Sequence, residues 1–134
     1  MSVLSDLLLR DAGKAFSGIR RLCLVIAATG TLMLFYLGAQ PIAVGLFRAP
    51  WDKLAHLLVF AAITGLLWIG TAGRFPLVLV AIVAGIGVAD EWHQAGLPGR
   101  SMDLGDLLVD ISASVLTVIV LHGRYRAIVF SQSR

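Results

Sequence analysis

The chain has 134 residues, 58% of them hydrophobic and only 14% charged, with a formal net charge of +3. Soluble domains carry about a quarter charged residues, so this composition, with a mean hydropathy of +0.89, excludes an ordinary soluble globule and indicates one integral membrane domain. The pI near 9.6 does not point to nucleic acid, because the basic residues flank apolar segments, as topology signals do, and form no single patch.

Residues 1–21 mix Arg10, Lys14, Arg20 and Arg21 with scattered apolar residues. They read as a cytoplasmic arm, either a short amphipathic surface helix or a loosely ordered segment. No cleavable signal peptide is expected, since the first apolar run starts late and is long enough to span. That run, 22–39, carries no charge and is the first span. Its single cysteine, Cys23, can form no intramolecular disulfide and reads as a packing residue. Gln40-Pro41 ends the span, and the connection to Trp51 contains Arg48 and Pro50.

The second span covers 54–72, preceded by Asp52 and Lys53 and carrying His56 in its first turn. Gly73-Arg74, with Pro76 at a helix start, predicts an antiparallel hairpin with the third span. The apolar part of the third span, 75–89, would cover only about 22 Å of a core about 30 Å thick. Its helix is therefore expected to continue through Asp90 to Gln94, giving a span of 75–94. Ala81, Gly85 and Ala89 form a small-residue ridge suited to close helix approach. Pro98-Gly99 breaks the chain. A fourth span is read over 101–122, with Ser101 as a possible cap and His122 as an interfacial or helix-end residue. A basic tail, 123–134, follows.

Together these segments predict an all-α, four-transmembrane-helix bundle over 22–122. Arg10, Lys14, Arg20, Arg21, Arg74, Arg124, Arg126 and Arg134 fall on one side, against Arg48, Lys53 and Arg100 on the other, eight to three. The positive-inside rule then places both termini in the cytoplasm and the polar motif loops on the exoplasmic side. Tyr36, Trp51 and Trp92 would lie at the outer interface, and Trp68, Phe75 and Tyr125 at the inner one.

The chemistry concentrates in residues 90–110, which hold five of the eight carboxylates. Ionisable groups at membrane depth are costly and mark functional sites. Asp103, Asp106, Asp110, Ser114 and Thr117 recur every three or four residues, so they line one helical stripe. Asp110 sits about 9 Å below the helix entry by helical rise. A mid-span aspartate costs roughly 2.5–3.5 kcal/mol on insertion scales, so it needs a partner or a proton. Asp52 and His56 are four residues apart on one helix and close enough to interact. Asp90, Glu91, His93, Gln94, Lys53 and Arg100 complete the set.

Three readings stay open. One is a structural clamp in which Arg100 holds carboxylates in bidentate pairs. The second is a metal site, although no compact motif such as H-E-x-x-H occurs and the sequence assigns neither metal nor cofactor. The third is a pocket for a polar head group, with Lys53 and Arg100 meeting its charge. In an enzymatic version His56, Glu91 or Asp106 would serve as acid–base residues. A proton path along Asp110, Ser114 and Thr117 would fade into the apolar residues from Val118 to Leu121.

Asp52-Lys53-x-x-His56-x-x-x-Phe60, together with Asp90-Glu91-x-x-Gln94-x-x-x-Pro98-Gly99-Arg100-Ser101 and the following Asp106-x-x-x-Asp110, resembles the VanZ-like family of small bacterial membrane proteins, named for a teicoplanin-resistance accessory protein. The resemblance runs from about Leu22 to Leu121, with Ala113 where the family commonly has glycine. It implies a multi-pass protein of the bacterial cytoplasmic membrane, tied to the cell envelope and to glycopeptide tolerance, and defines no reaction. It also implies that Asp52, Lys53, His56, Asp90, Glu91, Gln94, Pro98, Arg100, Asp106 and Asp110 form or shape the site. The expected partners are membrane lipids and a lipid-linked cell-wall precursor.

Overall fold

The computed structural model describes residues 3–46 and 49–132. It contains four α-helices: α1 (Val3–Gly38), α2 (Trp51–Gly70), α3 (Pro76–Ala95) and α4 (Leu104–Gln132), with one 3-10 turn at Pro41–Ala43. No strand occurs among the described residues. Each helix contains a stretch long and apolar enough to cross a membrane: Lys14–Gly38, Trp51–Gly70, Pro76–Ala95 and Leu104–Ala127. The fold is that of a multi-pass helical membrane protein. Arg48 and Arg134, counted among the topology charges, lie outside the described residues.

Three boundaries differ from the sequence reading. The arm and the first span form one continuous helix, because no proline occurs before Pro41 to interrupt backbone hydrogen bonding. Helix α4 begins at Leu104, after an irregular stretch over 101–103. Its cap is Asp103 and not Ser101: the Asp103 Oδ1 accepts the Gly105 N–H at 2.6 Å, satisfying an otherwise orphaned donor of the first turn. Helix α4 also continues to Gln132, so His122 lies inside the helix and cannot compensate its C-terminal dipole.

Helix α2 packs against both α1 and α4, and α3 packs chiefly on α4. Phe60 and Ile63 of α2, Val83 of α3 and Ala113 of α4 form the buried apolar core. The buried stripe of α3 is Leu79, Val83, Gly87 and Glu91, a clean four-residue repeat. At Gly87 an added Cβ would lie 3.1 Å from Asp110 Oδ2 and 3.2 Å from Leu107 Cδ1, so the absent side chain lets the α3 backbone approach α4. Ala81, Gly85 and Ala89 are exposed instead, with open space over Gly85.

At the opposite end, Arg20 Nε donates to the Gly70 carbonyl at 3.0 Å, tying α1 to the end of α2. Trp68 and Tyr125 meet edge to face there, with centroids 6.1 Å apart. Leu77, Leu104 and Leu108 are among many large apolar side chains left exposed, which suits a surface facing lipid.

Candidate ligand pocket

The antiparallel arrangement brings the N-terminal end of α2, the C-terminal end of α3 and the N-terminal end of α4 together at one end of the bundle. There the polar residues of the sequence motifs meet. Asp110 is fully buried, and its partner is His56: Nδ1 lies 2.9 Å from Asp110 Oδ1. The imidazole stacks on Phe60, with centroids 6.0 Å apart, and its Nε2 is 3.9 Å from Asp106 Oδ2. Asp52 does not pair with His56. Its Oδ1 accepts the Lys53 N–H at 2.8 Å, in the first turn of α2, where a carboxylate suits the helix dipole.

Lys53 bridges α2 to α4, its Nζ lying 2.8 Å from Asp106 Oδ1 and 3.0 Å from Asp103 Oδ2. The Lys53 ammonium, followed by the Gly105 N–H, holds the Asp103 carboxyl below the ordinary carboxylate range.

A second chain of bonds links Asp90 to Arg100 through the neutral Gln94. Asp90, 1% exposed, accepts from Gln94 Nε2 at 2.8 Å through Oδ2. Gln94 Oε1 accepts from Arg100 Nη2 at 2.9 Å, and Arg100 Nη1 donates to the Gly38 carbonyl at 3.2 Å. Arg100 therefore ties the 96–103 turn to α3 and to the end of α1. The expected bidentate pairing with a carboxylate does not form: among the described residues Arg100 makes no ion pair. Glu91, also 1% exposed, accepts the Asp103 N–H at 2.6 Å through Oε2 and so holds the start of α4.

Between these groups and α1 lies a cavity of about 560 Å³, within the range of small-molecule sites. Asp52, His56, Asp90, Gln94, Arg100, Asp103 and Asp106 line it, while Lys53, Glu91 and Asp110 stand behind the lining. Its apolar wall includes Met33, Leu34 and Leu37 of α1 and Val59 of α2. No polar marker singles out that wall in the sequence. The Gly38 carbonyl was equally invisible, since any residue supplies one. His93 stays apart, with its ring edge-on to Phe35 at 5.5 Å. Below Asp110, Ser114 is fully buried, and the stripe ends at buried Val118.

Fold and site together define a four-span helical membrane protein with a polar pocket at one end of the bundle, open against an apolar wall. Comparison with protein-family models, with curated proteins and with solved structures returned no match.

Proposed function

We propose that this is a VanZ-like protein of the bacterial cytoplasmic membrane whose outward-facing pocket engages the anionic head group of an envelope lipid or lipid-linked cell-wall precursor. Both termini are cytoplasmic in this reading, on the eight-to-three distribution of basic residues. The observation that carries it is Arg100, a guanidinium on the cavity wall that among the described residues is bonded only to the neutral Gln94 and Gly38 oxygens. A guanidinium so held keeps its charge and donors for a phosphate or carboxylate. The α1 face of the cavity suits an acyl or prenyl chain running into the bilayer.

The test is native mass spectrometry or a binding titration in nanodiscs with polyprenyl phosphate, anionic phospholipid and zwitterionic phospholipid. Anionic head groups bind preferentially, and Arg100→Gln weakens them by about tenfold or more, the loss of one charge-assisted contact. Equal binding of zwitterionic lipid, or an unchanged Arg100→Gln variant, defeats the reading. In cells the same variant alters teicoplanin sensitivity if the precursor is the ligand.

A second reading, an enzyme acting on a lipid-linked phosphate or sugar, is favoured by one observation. Asp110 holds His56 at 2.9 Å beside the cavity, the relation of a carboxylate to a general base. Turnover of polyprenyl phosphate that disappears in His56→Gln and Glu91→Gln supports it; no turnover across such substrates counts against it.

A further inference from the structure

One ring nitrogen of His56, one carboxylate oxygen of Asp90 and one of Glu91 lie within 4.8 Å of one another. Proximity of acidic groups alone means little, but each member of this trio has one atom fixed and another left over. His56 Nδ1 is engaged by Asp110 Oδ1 at 2.9 Å, and Nε2, whose nearest carboxylate is Asp106 Oδ2 at 3.9 Å, offers a lone pair when the ring is neutral with its proton on Nδ1. Asp90 Oδ2 is held by Gln94 at 2.8 Å, while Asp90 Oδ1 is buried without a hydrogen-bond partner. Glu91 Oε2 is held by the Asp103 N–H at 2.6 Å, while Glu91 Oε1 is likewise buried and unpartnered. Both carboxylates are 1% exposed. Buried polar atoms are almost always satisfied, and two carboxylates beside a third at Asp110 repel one another unless a proton or a cation intervenes.

The geometry points to a divalent-cation site formed by His56, Asp90 and Glu91, with Asp110 and Gln94 as the residues that orient the ligands. A histidine oriented through its other nitrogen by a carboxylate, and carboxylates oriented by hydrogen bonds through their second oxygens, is the usual support of metal ligands. Mixed imidazole and carboxylate ligation suits Mn²⁺, Fe²⁺ or Zn²⁺ better than the all-oxygen cations. His56 and Asp90 line the cavity, so an ion has an entry path. Asp52, Asp103 and Asp106 also cluster, but Lys53 Nζ already stands among them, at 3.0 Å from Asp103 and 2.8 Å from Asp106. That cluster has its cation. The inference needs no lipid and stands independently of the head-group reading.

The test uses the full chain in detergent, stripped with chelator and titrated with Mn²⁺, followed by electron paramagnetic resonance. The wild type takes up one Mn²⁺ per chain, displaceable by Zn²⁺, and spin-echo modulation shows a single coordinated imidazole nitrogen. That nitrogen signal is retained in His93→Gln and His122→Gln and lost in His56→Gln. Glu91→Gln and Asp90→Asn weaken binding by at least about tenfold, and Asp110→Asn by roughly 10–100-fold as an orienting partner. Variants are compared only where gel filtration and circular dichroism match the wild type. The wild-type nitrogen signal needs no variant at all. Absence of stoichiometric binding, no imidazole nitrogen on the bound ion, or loss of binding on Asp52→Asn with retention in Glu91→Gln overturns the assignment.

Discussion

His56 and Asp110 are the pair on which the α2–α4 contact is most exposed to disproof. Asp110 is fully buried, and its Oδ2 has no partner, so the 2.9 Å contact from His56 is its one hydrogen bond among the described residues. His56→Phe keeps a ring stacked on Phe60 but leaves that carboxyl with nothing. An unsatisfied buried polar group costs about 1–3 kcal/mol in soluble proteins, and interhelical bonds in membranes average about 0.6 and reach about 1.7 kcal/mol. The expected loss is therefore about 1–2 kcal/mol. Asp110→Leu, close to isosteric, strands the imidazole instead and costs a similar amount. The double variant removes both polar groups, and replacing a buried pair by apolar residues of like shape is often neutral or better. The double variant should thus be about 1–2 kcal/mol more stable than either single, a factor of roughly 5–30 in the folding equilibrium. Reversible unfolding in mixed micelles or by steric trapping, with chelator present to remove any bound ion, measures the cycle. Additivity within about 0.5 kcal/mol would falsify the claim that this contact joins the helices.

Two further outcomes are expected. Gly70→Ala places a Cβ 2.6 Å from Leu24 Cγ and 3.2 Å from the Arg20 carbonyl. The overpacking of about 1–3 kcal/mol outweighs the gain of about 0.5–1 kcal/mol from removing a glycine, so the unfolding midpoint falls. A midpoint at or above wild type means that α1 does not lie against Gly70. For Asp103, the folded pKa lies below the unfolded one, near 3.9. Its stabilising share is therefore present above that value and is lost as pH falls through the folded pKa. The stability difference between wild type and Asp103→Asn should accordingly shrink on acidification below about pH 4 and also with added salt, since Asp103 is solvent-exposed. A difference that grows on acidification would show that Lys53 does not hold this carboxylate.

The apolar runs were legible because spanning length and charge exclusion are one-dimensional properties, and all four appear as helices. The continuation of α3 through Asp90 and Gln94 was legible for the same reason: fifteen apolar residues are too few to cross. The start of α4 was misread by a few residues because Ser101 and Asp103 are both good capping types. Only the backbone path shows which one faces the Gly105 N–H. Which glycine of α3 meets α4 was not legible, because Gly85 and Gly87 each begin a plausible four-residue repeat and sequence does not say which face meets α4.

By itself, then, the sequence determined a four-span membrane protein and gathered the polar residues at one end of it. Burying a charge in hydrocarbon is costly wherever the helices pack, so those residues had to seek one another. Tertiary structure alone decided who pairs with whom. The four-residue spacing of Asp52 and His56 suggested a local pair. The approach of α2 to α4 instead sets Asp110 against His56 and Lys53 against Asp106, while Arg100 bonds to the neutral Gln94 and Gly38 oxygens. Periodicity fixes which side chains share a face. The separation and crossing of helices, here permitted by Gly87 against Asp110, fix which atoms come within bonding distance.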